Sequence, residues 1–448
     1  MASSNIITAS PKSSGYDGAT NKGTRQIYKG YDFMQFHVTS TPIVDKSHLI
    51  KALMEDPTKT ILVARPRGFG KATNLSMLKN FLEINGTSED LFRNLSIARE
   101  VDFCKRHQNK HPIIHLSFRG MSGQTFDECK RQLTVQINNV FLQHMYLQKS
   151  EHLTEAETKD YISTYTGSVT NTTLPETIPK LIRLMSKHYM KKVVVLLEHY
   201  DSPIASAHSH QFPNEMFSFM QALMEGIFHA PDLEKGIVFG IFTAGENLFN
   251  GVKDMKMYTV CHSEYAEYFG FLESEVKGLM KEYNIDSEAT FADIKDYYNG
   301  YSIGNRTVYS PWSIINCLIN GGKVGNYWMS DMGGGALLSR MLKDGVMSPA
   351  VVEMFLTGVE MGFGPDVLTQ AKLSDEDLYW AYLVQMGFLT VKPPGNGRTC
   401  SEIRIPNKEI SSTILESIRK LELENATATH STTAKHSTAT YSTQVHKE

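Results

Sequence analysis

The sequence predicts an α/β fold: a mainly parallel sheet flanked by helices, followed by a helical lid and a small C-terminal α/β unit. Three observations carry this. Four short β-branched runs, Thr60–Ala64, Pro112–Phe118, Val193–Leu197 and Gly236–Phe242, are largely apolar, as strands covered on both faces are. The segments between them have helical spacing, with Ile178, Leu181, Ile182, Met185 and Tyr189 on one stripe and Met216, Phe219, Met220, Leu223 and Ile227 on another. The first run passes through a glycine loop directly into a helical pattern. Strands alternating with helices give a parallel sheet, whose ligands sit beyond the carboxyl ends of the strands.

Taken in order, residues 1–30 are rich in Ser, Gly, Thr and Lys and are expected to stay disordered. Residues 31–270 hold the alternating runs and form the first domain. Residues 271–374 change to helical pieces broken at Asn299-Gly300, Gly321-Gly322 and Gly333 to Gly335, which suggests a helical lid. In residues 375–424, Leu378 to Val391 reads as a helix turning into a strand, and Ser401 to Pro406 follows a Pro-Pro-Gly-Asn-Gly turn, so a helix and hairpin unit is expected. Residues 425–448 repeat a His-Ser-Thr-Ala theme with almost nothing to bury and are expected to form a disordered tail.

At 448 residues the chain is long enough for two to three domains of roughly 150 residues each. Hydrophobic residues make up 41% and charged residues 21%, the balance of a globular protein. Lys and Arg total 45 against 48 Asp and Glu, a net charge of −3, which argues against a whole-chain electrostatic nucleic-acid binder. The five cysteines are scattered without a CxxC pair, which fits neither a disulfide framework nor a zinc site and points to a reducing compartment. No signal-peptide core or membrane-length apolar run occurs, so an intracellular protein of cytoplasm or nucleus, with no membrane partner, is expected.

The chemistry concentrates where Thr60–Ala64 runs into Arg65-Pro66-Arg67-Gly68-Phe69-Gly70-Lys71-Ala72-Thr73. A glycine loop that opens a helix aims backbone N–H groups and the positive helix end at one spot, and Lys71 adds a full charge there, so phosphate is favoured. Against GxxxxGK(S/T), the first glycine position holds Arg65 and the hydroxyl position holds Ala72.

The motifs IVDKSHLI from Ile43, ARPRGFGKATNLSML from Ala64, VVVLLEHYDSPI from Val193, FGFLESEV from Phe269, YYNGYSIGNRTVYSPWSI from Tyr297, Tyr327-Trp328 and IPNKEI from Ile405 occur in an order that resembles the AAA-ATPase-like family. These are P-loop proteins often followed by a PD-(D/E)xK-type nuclease domain. The resemblance covers roughly Phe33 to Ile410. It implies a P-loop NTPase-like fold and binding of ATP with Mg²⁺ through Arg67, Gly68, Phe69, Gly70, Lys71, Ala72 and Thr73. Family loops read like RPRRFGKS, so Arg65 is a family trait, whereas Gly68 and Ala72 are departures. Thr73 follows Ala72, but one residue along a helix turns the side chain by about 100°, so it substitutes poorly for the lost hydroxyl.

The strand end resembling the family's IDEYD reads Leu197-Glu198-His199-Tyr200-Asp201. Glu198 and Asp201 are therefore expected on the Mg²⁺ side, and His199 stands where the catalytic Glu belongs, as its vestige. Loss of a positioned base costs roughly 10²- to 10⁴-fold, while phosphate affinity rests on the retained loop and lysine. A degenerate ATPase that binds ATP weakly and serves as a switch or scaffold is expected, with a slow active ATPase and a nucleotide-free interaction scaffold as the other readings.

Neighbouring features add little. His208 and His210 are expected on a solvent-facing loop, and Tyr297, Tyr298, Tyr301, Tyr309 and Trp312 in core packing against the lid. The stretch after Ile410 is too short for the nuclease domain, so nucleic acid enters by family analogy alone and the expected partner is an unidentified protein.

Overall fold

Thr60–Ala64 (β1), Ile113–Ser117 (β2), Val193–Glu198 (β3), Leu233–Gly240 (β4) and Met255–Tyr258 (β5) form a single sheet in the order β2-β3-β4-β1-β5. Every pairing in it is parallel, as the β-branched runs predict. The computed structural model describes residues 30–84, 86, 88–166, 174–243, 248–285, 287–328, 342, 348–361, 368, 375–392 and 401–423. The expected disordered ends, residues 1–30 (apart from Gly30) and 425–448, and the Gly333 to Gly335 break lie outside these residues.

Side chains alternate across the sheet because the strand period is two. Ile61 and Val63 of β1 and Val194 and Leu196 of β3 join one apolar cluster; Leu62, Ala64, Val193, Val195 and Leu197 join the other. The first cluster is closed by helix Lys71–Leu82 (α1) through Leu75, Leu78 and Phe81. The second is closed by Phe126–Gln143 (α2), Leu174–Tyr189 (α3) and, beyond Asp201–Ser209 (α4), by Pro213–Phe228 (α5). Both stripes expected to be packing surface are: Ile178, Leu181, Ile182 and Met185, and Met216, Phe219, Met220, Leu223 and Ile227, are buried.

Three details differ from the sequence reading. β4 runs from Leu233 to Gly240 and not from Gly236 to Phe242. It stops because the N–H groups of Ile241 and Phe242 donate to the Asp201 carboxylate and so leave the ladder. β5 was not expected, since Met-Lys-Met-Tyr is not a continuous apolar run; it pairs with β1 at the sheet edge. Within the expected helical lid, Tyr301–Ile303 (β6) and Arg306–Val308 (β7) form a hairpin, because Gly304 supplies the left-handed φ of 52° that the turn needs. It precedes helix Pro311–Ile319 (α6).

The C-terminal unit has the expected helix, Asp375–Met386 (α7), and an antiparallel pair, Thr390–Lys392 (β9) with Ser401–Arg404 (β10). Val359–Met361 (β8) adds a third strand to it. This unit shares its core with the first face of the large sheet: Phe388, Leu389, Ile403, Ile405 and Ile410 belong to the same cluster as Val63 and Phe69. Among the described residues, no helix is long and apolar enough to cross a membrane.

Candidate functional site

The loop between β1 and α1 takes its shape from two glycines. Gly68 (φ 79°) and Gly70 (φ 81°) are both left-handed, and Gly70 caps the start of α1. Lys71 is the first helical residue, and its Nζ donates to the carbonyls of Arg65 (2.6 Å) and Pro66 (2.7 Å). Burial lowers the Lys71 pKa to about 7; the Asp201 and Glu198 carboxylates act against that fall, and Arg67 and Arg65 add to it. Ala72 and Thr73 follow in the first turn of α1, half-buried. The Phe69 side chain is buried, edge-on to Tyr301 at 5.0 Å, so what it presents to a ligand is its backbone.

Arg65 stands at the expected first-glycine position and does not face a ligand. It is fully buried: Nη1 donates to the carbonyls of Ala64 (2.9 Å) and Tyr258 (3.1 Å), and Nη2 to that of Glu264 (3.1 Å). Its guanidinium also lies 5.3 Å from the centre of the Phe269 ring. Burial lowers its pKa to about 9, which leaves it charged at neutral pH. Arg65 thus ties the mouth of the loop to the end of β5.

The end of β3 brings Glu198, His199 and Asp201 beside this loop, close enough for the two carboxylates to act on Lys71 and for Lys71 to act on His199. Glu198 is 6% exposed and lies between two imidazoles, with His115 Nε2 at 3.6 Å and His199 Nε2 at 3.7 Å. Burial acts to raise its pKa, but the neighbouring His115 and His199 imidazoles and Ser117 outweigh it and hold the carboxyl below its ordinary value. His199 is left-handed (φ 56°), a conformation uncommon for a residue with a Cβ. Burial lowers its pKa, with Glu198 and Asp201 opposing and Lys71 and Arg119 assisting, so the imidazole is neutral at neutral pH.

Asp201 opens α4 and is buried. Its Oδ2 accepts from Ile241 N (2.8 Å) and Phe242 N (3.4 Å), which makes it a strap on the exit of β4. The adjacent Tyr200 is fully buried, and its hydroxyl donates to the Phe242 carbonyl on the same segment. The segment that follows β4 continues past Thr243 into residues 244–247, outside the described residues. Thr243 donates its N–H to Gln385 Oε1 of α7 (3.2 Å).

One residue, and the loop contacts of two others, escaped the sequence reading. The residue is His115: it is the single polar side chain in the middle of β2, and an imidazole interrupting an apolar strand near its carboxyl end is the signal that could have found it. The others are a pair of tryptophans over the loop. Trp328 is fully buried and its indole Nε1 donates to the Arg67 carbonyl (2.8 Å), while the backbone N–H of Trp312, in α6, donates to the Gly68 carbonyl (3.2 Å). A Cβ on Gly68 would lie 3.1 Å from Trp312 Cβ and 3.2 Å from Trp328 Cδ1, so the missing side chain is the seat of both rings.

Behind the tryptophans stands Glu409, from the IPNKEI motif and wholly buried. Its Oε1 accepts from Trp328 N (2.7 Å) and its Oε2 from Ser313 Oγ (2.7 Å). Burial raises its pKa to about 7 against these hydrogen bonds. The expected packing role of the aromatic motif is seen here: Tyr298, Tyr301 and Tyr309 are buried, and the Tyr301 hydroxyl donates to the Gly387 carbonyl (2.9 Å). His210 ends α4 with Nδ1 2.9 Å from the Ser206 carbonyl. Among the described residues, no group of three or more His, Cys, Asp or Glu is arranged to hold a metal ion.

No curated protein matches the chain. The solved structure of the Aeropyrum pernix ORC2 protein (ADPNP-ADP complexes) aligns with 91% of this chain and 98% of its own, at 9% identity and a TM-score of 0.33, a likeness too loose to bear on function. Residues 30–245, which contain the glycine loop, Lys71 and the Glu198 to Asp201 strand end, match the family model described as predicted AAA-ATPase. Over that span the chain is similar to the AAA-ATPase-like family.

Proposed function

We propose that the module binds ATP weakly through its phosphate loop, turns it over very slowly or not at all, and serves as a nucleotide-responsive switch or scaffold. One observation carries this reading: a retained cradle faces an altered strand end. Lys71 and the left-handed Gly68 and Gly70 lie at the head of α1, beside His199 and not a catalytic carboxylate.

Phosphate fits this loop, because a helix start and a lysine converge on it. Magnesium fits poorly. Ala72 brings no oxygen, Asp201 Oδ2 already accepts two backbone N–H groups, and Glu198 lies between imidazoles. A hard cation with a strict preference for oxygen ligands finds little there. Binding then rests on the phosphate contacts of Lys71 and the loop N–H groups.

Thermal melting with and without millimolar ATP tests the binding. A ligand at 100 times its Kd stabilises by about 2.7 kcal/mol, and at lower ratios by less, as the logarithm of the ratio. The wild-type chain is expected to melt higher with ATP and Lys71→Ala to melt at the same temperature either way; no ATP effect on the wild type would sink the reading.

Slow hydrolysis is the second reading, favoured by the depressed pKa of His199: a neutral imidazole beside the loop can take a proton from water. Restoring the family residues separates the two. Ala72→Ser with His199→Glu is expected to release phosphate from ATP about a hundredfold faster than the wild type, the low end of the range a positioned base contributes. Brisk turnover by the wild type, unimproved by the double variant, would show that the present residues already form a working site.

A further inference from the structure

We propose that Trp312 and Trp328, which lie outside the family-matched span, act as positioning residues that hold the phosphate loop with its backbone donors turned toward the ligand. The proposal rests on the nucleotide-binding reading above and extends it to residues that no phosphate motif contains.

The argument is geometric. In a trans peptide the C=O and the following N–H point in opposite directions across one rigid plane. The chain has no cis peptide bond among the described residues. The Arg67 carbonyl accepts from the Trp328 indole, and the Gly68 carbonyl accepts from the Trp312 backbone N–H. The N–H groups on the far side of those two planes belong to Gly68 and Phe69, and both therefore turn away from the tryptophans. The Arg65 and Pro66 carbonyls are held separately, by Lys71 Nζ. Consecutive loop carbonyls are thus fixed before any ligand arrives, so the donors need little rearrangement to meet an anion.

The clamp is anchored on its outer side. Glu409 accepts from Trp328 N and from Ser313 Oγ, and Trp312 Nε1 donates to the Tyr327 carbonyl (3.2 Å). Trp328 is packed edge-on against Phe388 (5.6 Å), and Gly387, with φ 94°, leaves room for the indole at a point where a Cβ would lie 3.3 Å from Trp328 Cζ2. The C-terminal unit thereby reaches the loop through one carboxylate, one indole and one backbone N–H.

Trp328→Phe keeps an aromatic ring in the seat and removes the indole N–H that holds the Arg67 carbonyl. Titration with a fluorescent ATP analogue is expected to show three- to tenfold weaker binding for Trp328→Phe than for the wild type. Trp380→Phe is the control for generic loss of packing: Trp380 is buried against Phe355 (4.9 Å) and does not touch the loop, and its variant is expected to bind as the wild type does. Ser313→Ala is the milder second variant; it loosens Glu409 without altering either indole and is expected to weaken binding about twofold to threefold. Wild-type affinity in both Trp328→Phe and Ser313→Ala would overturn the clamp and leave the nucleotide site standing. Tighter binding in Trp328→Phe would also overturn it, because the indoles would then be a cover and not a clamp. A wild-type chain that binds no analogue would remove the nucleotide reading itself, and the clamp with it.

Discussion

Arg65→Ala is expected to destabilise the chain by about 4 kcal/mol or more, read as a shift of the urea unfolding midpoint. Two buried carbonyls, those of Ala64 and Tyr258, and the partly buried one of Glu264 receive hydrogen bonds from this one guanidinium. Hydrogen bonds to a charged group contribute about 1.5–3 kcal/mol each, and orphaned buried carbonyls bear their own desolvation penalty. A buried ion can often be exchanged for an apolar side chain at little cost, but that holds when its partners can be exchanged too. Here the partners are backbone and stay. Arg65→Met separates the contributions: it refills much of the volume and restores no donor, so it should recover only the cavity part of the loss. Since a domain is stable by only about 5–15 kcal/mol, the alanine variant should be partly unfolded at physiological temperature. An unchanged midpoint would mean that Arg65 is not what closes the loop onto β5.

Asp201→Ala is expected to cost about 2–3 kcal/mol, because it leaves the N–H groups of Ile241 and Phe242 without their acceptor. Most of the loss belongs to Ile241, whose bond is short and buried at 2.8 Å; the 3.4 Å contact to Phe242 adds less. Asp201→Asn keeps an acceptor and should lose only about 1 kcal/mol, the charge-assisted part. The pair also separates the two roles assigned to this residue. If Asp201 were needed on the metal side, Asp201→Asn would fold well and yet lose the melting shift produced by ATP in the presence of Mg²⁺. If it is a strap, that shift stays.

The fold was legible because a parallel sheet leaves a strong trace. β1 and β3 are buried on both faces and read as continuous runs, and β2 as one broken at His115, whereas β5 sits at the edge with a half-exposed Met-Lys-Met-Tyr and leaves almost none. Gly68, Gly70 and Lys71 were legible because backbone shape and charge are written in residue type. The second tie of Asp201 was not, since its acceptor role depends on where β4 leaves the sheet, a tertiary fact. The inward turn of Arg65 was hidden for the same reason: its acceptors, Tyr258 and Glu264, are distant in sequence. The tryptophans could be noted as part of a motif, but nothing local to either one indicates that it rests on Gly68.

The bond between the Trp328 indole and the Arg67 carbonyl spans 261 positions of the chain. Contacts of such separation must overcome a large loop-closure entropy and form late in folding. Synthesis is vectorial, so a ribosome that has just released Gly245 has delivered the whole family-matched span, but neither indole nor Glu409 has yet been translated. The nascent module at that point carries Lys71 and both loop glycines with the Arg67 and Gly68 carbonyls still unclaimed, and the loop acquires its final rigidity only when the far end of the polypeptide folds back upon it.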